Sequence, residues 1–129
     1  MLPAATPVTD LSLDVAGLRS NKGVLRVCLT AVADNFPKCV DDTASTTRSA
    51  PAGGGAIRFA GLPRGDYAVA VIHDENGNGK LDTIAGIPRE GFGFSRNPPI
   101  RFGPPRFAAA LFTVAGTTDR QQVKMRYLL

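Results

Sequence analysis

Residues 61–82 read GLPRGDYAVAVIHDENGNGKLD, and this stretch sets the fold class. Gly61, Pro63 and Gly65 make a turn that feeds an uninterrupted apolar run, residues 67–72. Tyr67, Val69 and Val71 alternate with Ala68, Ala70 and Ile72, so both faces of an extended strand would be apolar. A strand apolar on both faces belongs in the middle of a sheet. The alanines place small side chains under a covering layer. Tyr67 needs a partner for its hydroxyl if it is buried.

Outward from this strand, the chain reads as short alternating runs. Leu11, Leu13 and Val15 alternate with Ser12, Asp14 and Ala16 up to Gly17. Leu25, Val27 and Leu29 alternate with Arg26, Cys28 and Thr30. Residues 19–23, RSNKG, read as a hairpin turn, which makes these two strands antiparallel neighbours. Residues 46–50 form a weak strand. Gly53, Gly54 and Gly55 turn the chain into a further hairpin arm carrying Ile57 and Phe59. Residues 108–114 and 122–128 read as two closing strands. No 3.6-residue periodicity lasts long enough for a helix. Between 75 and 105 no strand is legible. That long loop holds Phe92, Phe94 and Phe102, which are anchors rather than linker residues.

The expectation is an all-β fold: a seven-stranded Greek-key sandwich, immunoglobulin-like or transthyretin-like, with one long ordered loop. Residues 1–9 form a tail and residues 10–129 one domain, with the loop at 75–106. The 129 residues suffice for one core. With 43% apolar and 20% charged residues the composition is that of a globular chain, and 14 glycines with 10 prolines favour turns. The net charge of +4 is scattered, so a solvated surface is preferred to an anion-binding one. No apolar run is long enough to span a membrane. The start, MLPAATPVTD, lacks the pattern of a signal peptide and reads as a mature N-terminus with an added Met.

Cys28 and Cys39 are the only cysteines. A bridge between them is favoured over two free thiols, because Cys28 lies among the polar positions of its strand and Cys39 in a loop. A bridge implies an oxidising compartment, hence a periplasmic or secreted protein.

Residues 73–82, HDENGNGKLD, carry the chemistry. With Asp74 as position 1, Asn76 and Asn78 fall at 3 and 5, and Gly79 at 6, where a calcium loop turns sharply. Lys80 supplies a backbone carbonyl at 7 and Asp82 a ligand at 9. Position 12 is Ala85 where a Glu is required, so Glu90 or a carbonyl has to complete the site. All-oxygen ligands on a flexible backbone suit calcium better than magnesium, with weak affinity on the order of 10⁻⁴–10⁻³ M. The competing reading is a metal-free Asx-rich turn. His73, the only histidine, reads as structural rather than catalytic, and no triad spacing is present.

The loop also holds Arg96 and Arg101 among Phe92, Phe94 and Phe102. These five residues could bind an anionic glycan, a lipid headgroup or nucleic acid. The preferred reading has the arginines bonding loop carbonyls and the phenylalanines plugging the sandwich. The partner expected is an envelope or extracellular one, anionic if the arginines are engaged; no nucleic-acid partner is expected.

Three segments carry a resemblance: residues 61–82, then GIPREGFGFSRNP at 86–98, then FGPPRF at 102–107. Together they resemble the bacterial family catalogued as domain of unknown function 2141, over about residues 11–129. The resemblance implies an exported protein with a transthyretin-like or prealbumin-like sandwich. The turn at Gly61, Leu62, Pro63, Gly65 and Tyr67 is similar to that of carboxypeptidase regulatory domains and surface-protein B repeats. Some B repeats carry a calcium loop of the form DxNxNGxxDxGE. This chain matches at Asp74, Asn76, Asn78 and Gly79, has Asp82 displaced by one, and departs in lacking the closing GE. The leading expectation is a non-catalytic exported sandwich whose calcium loop orders a recognition surface. The alternative is a small-molecule or glycan-binding module using the aromatic loop. A hydrolase is third, because the transthyretin-like purine-pathway hydrolase relies on several histidines.

Overall fold

Leu11 and Leu13 point inward from β1 (Val8–Ala16), and this alternation starts the core. A computed structural model describes residues 7–39, 45–77, 83–84, 87–88, 90–100 and 103–128. β1 pairs antiparallel with β4 (Ile57–Pro63) and parallel with β10 (Thr118–Lys124), giving a three-stranded sheet ordered β10-β1-β4. The β1–β4 register shifts between Thr9 and Leu11, and there Asp10 Oδ1 accepts the Gly61 N–H at 2.9 Å. A bulge of this kind twists the strand and re-aims its side chains.

The second sheet runs β3-β2-β5-β8, built from β2 (Val24–Thr30), β3 (Ser45–Pro51), β5 (Gly65–Asp74) and β8 (Gly91–Phe94). β9 (Phe112–Val114) pairs with the start of β5, where β8 does not reach. β5 is therefore central, as its two apolar faces require. Val69 and Val71 face the core between the sheets, with Leu25, Val27 and Leu29 of β2 beside them and Leu11, Leu13, Phe59 and Val123 among those opposite. The Tyr67 hydroxyl donates to the Pro63 carbonyl at 2.6 Å, across the turn. Two-residue strands β6 (Thr83–Ile84) and β7 (Ile87–Pro88) form a separate pair.

The outer face of the second sheet is covered as well. Cys28, Ala68, Ala70, Phe92 and Phe94 pack there with Cys39 and Ala110, and Phe36, Ile100 and Phe107 close over them. Phe36 stands edge-on to both Phe94 and Phe107, with centroids 5.9 and 5.8 Å away. The Cys28–Cys39 disulfide ties this cover to β2, with Cα atoms 5.6 Å apart.

Several sequence expectations are corrected. β1 and β2 are not hairpin partners; they lie in different sheets. Residues 17–23 cross the sandwich instead of folding back, with left-handed glycines at both ends (Gly17 φ +77°, Gly23 φ +70°). Two one-sided apolar runs bury each other when they face across a core, whereas side by side both still need a cover. For the same reason β3 and β4 are not hairpin arms. They edge opposite sheets, and Arg48 of β3 reaches across, its guanidinium 4.8 Å over the Phe59 ring and its Nη1 donating to the Arg58 carbonyl at 3.0 Å.

The segment expected to lack strands contains β6, β7 and β8. Of the two closing strands, β9 is shorter than expected and β10 starts four residues earlier, and a single helical turn, α1 (Phe107–Ala110), precedes β9. β8 was hidden because its pattern is glycine against phenylalanine. Phe92 and Phe94 face the outer cover, while Gly91 and Gly93 face the C-terminal segment. A Cβ at Gly93 would lie 2.5 Å from Val123 Cγ1, and one at Gly91 would lie 2.3 Å from the Tyr127 ring. The bare backbone lets residues 123–127 come close. There Met125 N–H donates to the Ala16 carbonyl at 2.8 Å, and Arg126 exchanges backbone bonds with Phe92 at 2.8 and 3.0 Å. The C-terminal segment thus stitches one sheet to the other. Asn97 seals the outer edge of β10: its Nδ2 donates to the Gln122 carbonyl at 3.1 Å and its Oδ1 accepts the Lys124 N–H at 2.8 Å.

Candidate functional site

β5 ends at His73 and Asp74, and the acidic loop starts there. His73 is fully buried. Its Nε2 lies 2.8 Å from the Lys22 carbonyl, an acceptor only, so that nitrogen carries the proton. Its Nδ1, 2.7 Å from Tyr127 Oη, then accepts the phenol proton. Tyr127 Oη in turn accepts the Arg19 N–H at 3.2 Å. Both ring nitrogens are engaged, and the ring lies edge-on to Tyr127.

The Arg19 guanidinium sits 4.5 Å over the Tyr127 ring and binds Glu75 Oε1 through Nε at 2.9 Å. Ser20 Oγ donates to Glu75 Oε2 at 2.9 Å. The Arg19 hydrogen bond holds the Glu75 carboxyl below its ordinary range, with a smaller contribution from Ser20 and partial opposition from burial. Bonding to Glu75 raises Arg19 correspondingly. Burial pushes the Tyr127 phenol up. Gly23 is required here, because a Cβ would fall 2.1 Å from the Asp74 carbonyl oxygen.

Of the six residues expected to ligate calcium, Asp74, Asn76 and Glu90 fall among the described residues; Asn78, Lys80 and Asp82 lie outside them. Asp74 is buried, and its Oδ2 lies 2.9 Å from Arg26 Nε. Arg26 Nη1 donates to Ser49 Oγ at 3.2 Å. Asn76 is exposed in the turn closed by Gly77 N–H to the Asp74 carbonyl at 3.3 Å. β8 delivers Glu90, also buried, to the loop's root, where its Oε2 accepts the Glu75 N–H at 2.9 Å. The two ends of the excursion from 75 to 90 therefore meet through a carboxylate. Asp74, Asn76 and Glu90 carry carboxylate and carboxamide oxygens, the donor type that calcium prefers. Asp74 shares its charge with Arg26, which lowers what it can offer a cation.

Phe92 and Phe94 are buried in the outer layer, as the reading that plugs the sandwich with phenylalanines has it, and not on the surface that the binding reading requires. Arg96 is exposed and donates through Nη1 to the Leu111 carbonyl at 3.3 Å. Arg101 and Phe102 lie outside the described residues. Sequence reading missed Arg19, Arg26, Glu75 and Tyr127. Each meets its partner from 48 to 108 positions away, so no local pattern announces them. No helix among the described residues is long and apolar enough to cross a membrane.

No curated protein and no solved structure matches the chain. One family model does, over residues 13–122; its family is described as "Uncharacterized protein conserved in bacteria (DUF2141)".

Proposed function

The chain belongs to this bacterial family, and from that premise we propose a non-catalytic, extracytoplasmic sandwich of the transthyretin-like type whose loop after β5 binds calcium. The cation orders the excursion between β5 and β8, which presents the surface for an envelope or extracellular partner. One observation supports this reading: Glu90 Oε2 accepts the Glu75 N–H, so a carboxylate from the β8 end of the excursion reaches the residue that follows Asp74. Asp74, Asn76 and Glu90 would hold the ion together with Asn78, the Lys80 carbonyl and Asp82. The ion supplies charge neutralisation and rigidity, not a reactive centre. The engagement of both His73 nitrogens supports a role without acid–base catalysis. The Cys28–Cys39 bridge supports export, since such bonds persist in oxidising compartments.

The test is thermal unfolding in millimolar calcium and in chelator. At millimolar calcium and a Kd on the order of 10⁻⁴–10⁻³ M, a ligand that binds only the folded state raises stability by about 0.4–1.4 kcal/mol. Calcium should raise Tm, and Asp82→Ala should remove the rise. Asp82 is the better variant, because Asp74→Ala also breaks the pair with Arg26. Identical melting curves in calcium and chelator would overturn the proposal.

A further inference from the structure

The loop contains Asn-Gly twice, at Asn76–Gly77 and Asn78–Gly79; the second pair lies outside the described residues. We infer that Asn76–Gly77 is a site of spontaneous deamidation, a covalent clock set at the root of the acidic loop. The chemistry needs the Gly77 backbone nitrogen to reach the Asn76 side-chain carbonyl carbon. Three observations favour that approach. Asn76 is exposed, so water reaches both the amide and the ring that forms. Gly77 sits at φ +66°, and beyond its chain neighbours no atom of the described residues lies within 4 Å of where a Cβ would stand, so among them nothing crowds the turn. Among the described residues the Gly77 N–H is held by the Asp74 carbonyl alone, at 3.3 Å, longer than the roughly 3 Å usual for such bonds, so releasing that bond costs little.

The step balances without an oxidant or a second protein. The Gly77 nitrogen gives its proton to water and bonds to Asn76 Cγ. Nδ2 takes a proton back from water, the Cγ–Nδ2 bond breaks and ammonia leaves, closing a succinimide. Water then opens the ring at either carbonyl. One opening yields aspartate; the other yields isoaspartate, with an extra carbon in the backbone. Both place a carboxylate in a turn that already carries Asp74 and Glu75, with Glu90 against it. The isoaspartate product also lengthens the turn and displaces Gly77 from the Asp74 carbonyl.

The modification stands whether or not calcium binds; its effect on cation affinity rests on the calcium reading above. Aspartate at 76 turns a neutral oxygen ligand into an anionic one, which tightens calcium binding several-fold.

The experiment incubates the folded, disulfide-bonded protein at mildly alkaline pH for days. Tryptic peptide 65–80 is then fragmented to place any exchange of amide for hydroxyl, and isoaspartate is read by enzymatic methyl transfer. The expected result is conversion at Asn76, in both forms, that Asn76→Gln abolishes at that position. Calcium titration of Asn76→Asp beside the unmodified protein reads the affinity change. Survival of the Asn76 amide after conversion is complete in a denatured control would overturn the inference, even with calcium bound. Conversion at Asn76 in a protein that takes up no calcium would uphold it and refute the calcium reading instead.

Discussion

His73 Nδ1 and Tyr127 Oη lie 2.7 Å apart although 54 residues separate them. This contact ties the end of the central strand to the segment that joins the two sheets. Tyr127→Phe keeps the ring under Arg19 but leaves a buried ring nitrogen without its donor. Such a loss costs about 1–3 kcal/mol. Urea denaturation should show a lower midpoint with an unchanged slope.

Gly91→Ala puts a methyl where the Tyr127 ring lies, 2.3 Å from Cε2. The ring has to move, and with it the bonds to His73 and Arg19. Overpacking of this kind costs about 1–3 kcal/mol. The near-ultraviolet tyrosine signal should change along with the loss of stability; a variant as stable as the parent would contradict the close fit.

Asn97→Ala removes both bonds that its carboxamide makes to the β10 edge. The expected cost is about 1–2 kcal/mol. Hydrogen exchange at the Lys124 amide should accelerate more than exchange in β5, because the bonds lost are confined to the edge.

Glu75 makes stability depend on pH in a known direction. Its carboxyl pKa is lowered from 4.5 in the folded protein, chiefly by the Arg19 bond. The folded state therefore binds that proton less readily than the unfolded chain does. Its contribution is complete above the ordinary value and is lost as pH falls through the lower, folded one. Denaturation midpoints across the acid range should drop, and Glu75→Gln should flatten that part of the profile.

Removing the disulfide with paired Cys28→Ala and Cys39→Ala frees a loop whose ends are 11 residues apart in sequence. The chain-entropy model puts this at about 3 kcal/mol. Phe36 should lose its fixed seat against Phe94 and Phe107, which side-chain NMR would register as averaged ring signals.

Much of the strand content was legible because it obeys simple alternation. Leu11 and Leu13, then Leu25, Val27 and Leu29, and then Tyr67, Val69 and Val71 face the core as their period-two pattern requires. The cover over Ala68 and Ala70 was legible too, in the small size of those residues. β8 was not, because alternation with glycine leaves one face without a side chain to read. Nor was the pairing of strands, since short connections suit a hairpin and a crossing between sheets equally well. At the candidate site, the sequence showed where Asp74 and Asn76 place oxygen-bearing side chains at the start of the loop. Arg19 and Arg26, which hold Glu75 and Asp74, were not, being 56 and 48 positions away.

Taken alone, the order of residues determined that this chain is built of strands, where its central one lies, that its two cysteines are worth joining, and which loop concentrates oxygen-bearing side chains. Those properties follow from local steric and hydropathic rules that act within a few residues. The tertiary structure alone decided which runs face each other and that the last strand returns parallel to the first. It alone brought Glu90 and Tyr127 to the root of the acidic loop. The reason is physical: a one-sided apolar strand states that it must be buried, while its partner is chosen only when every such face in the chain has to be covered at once.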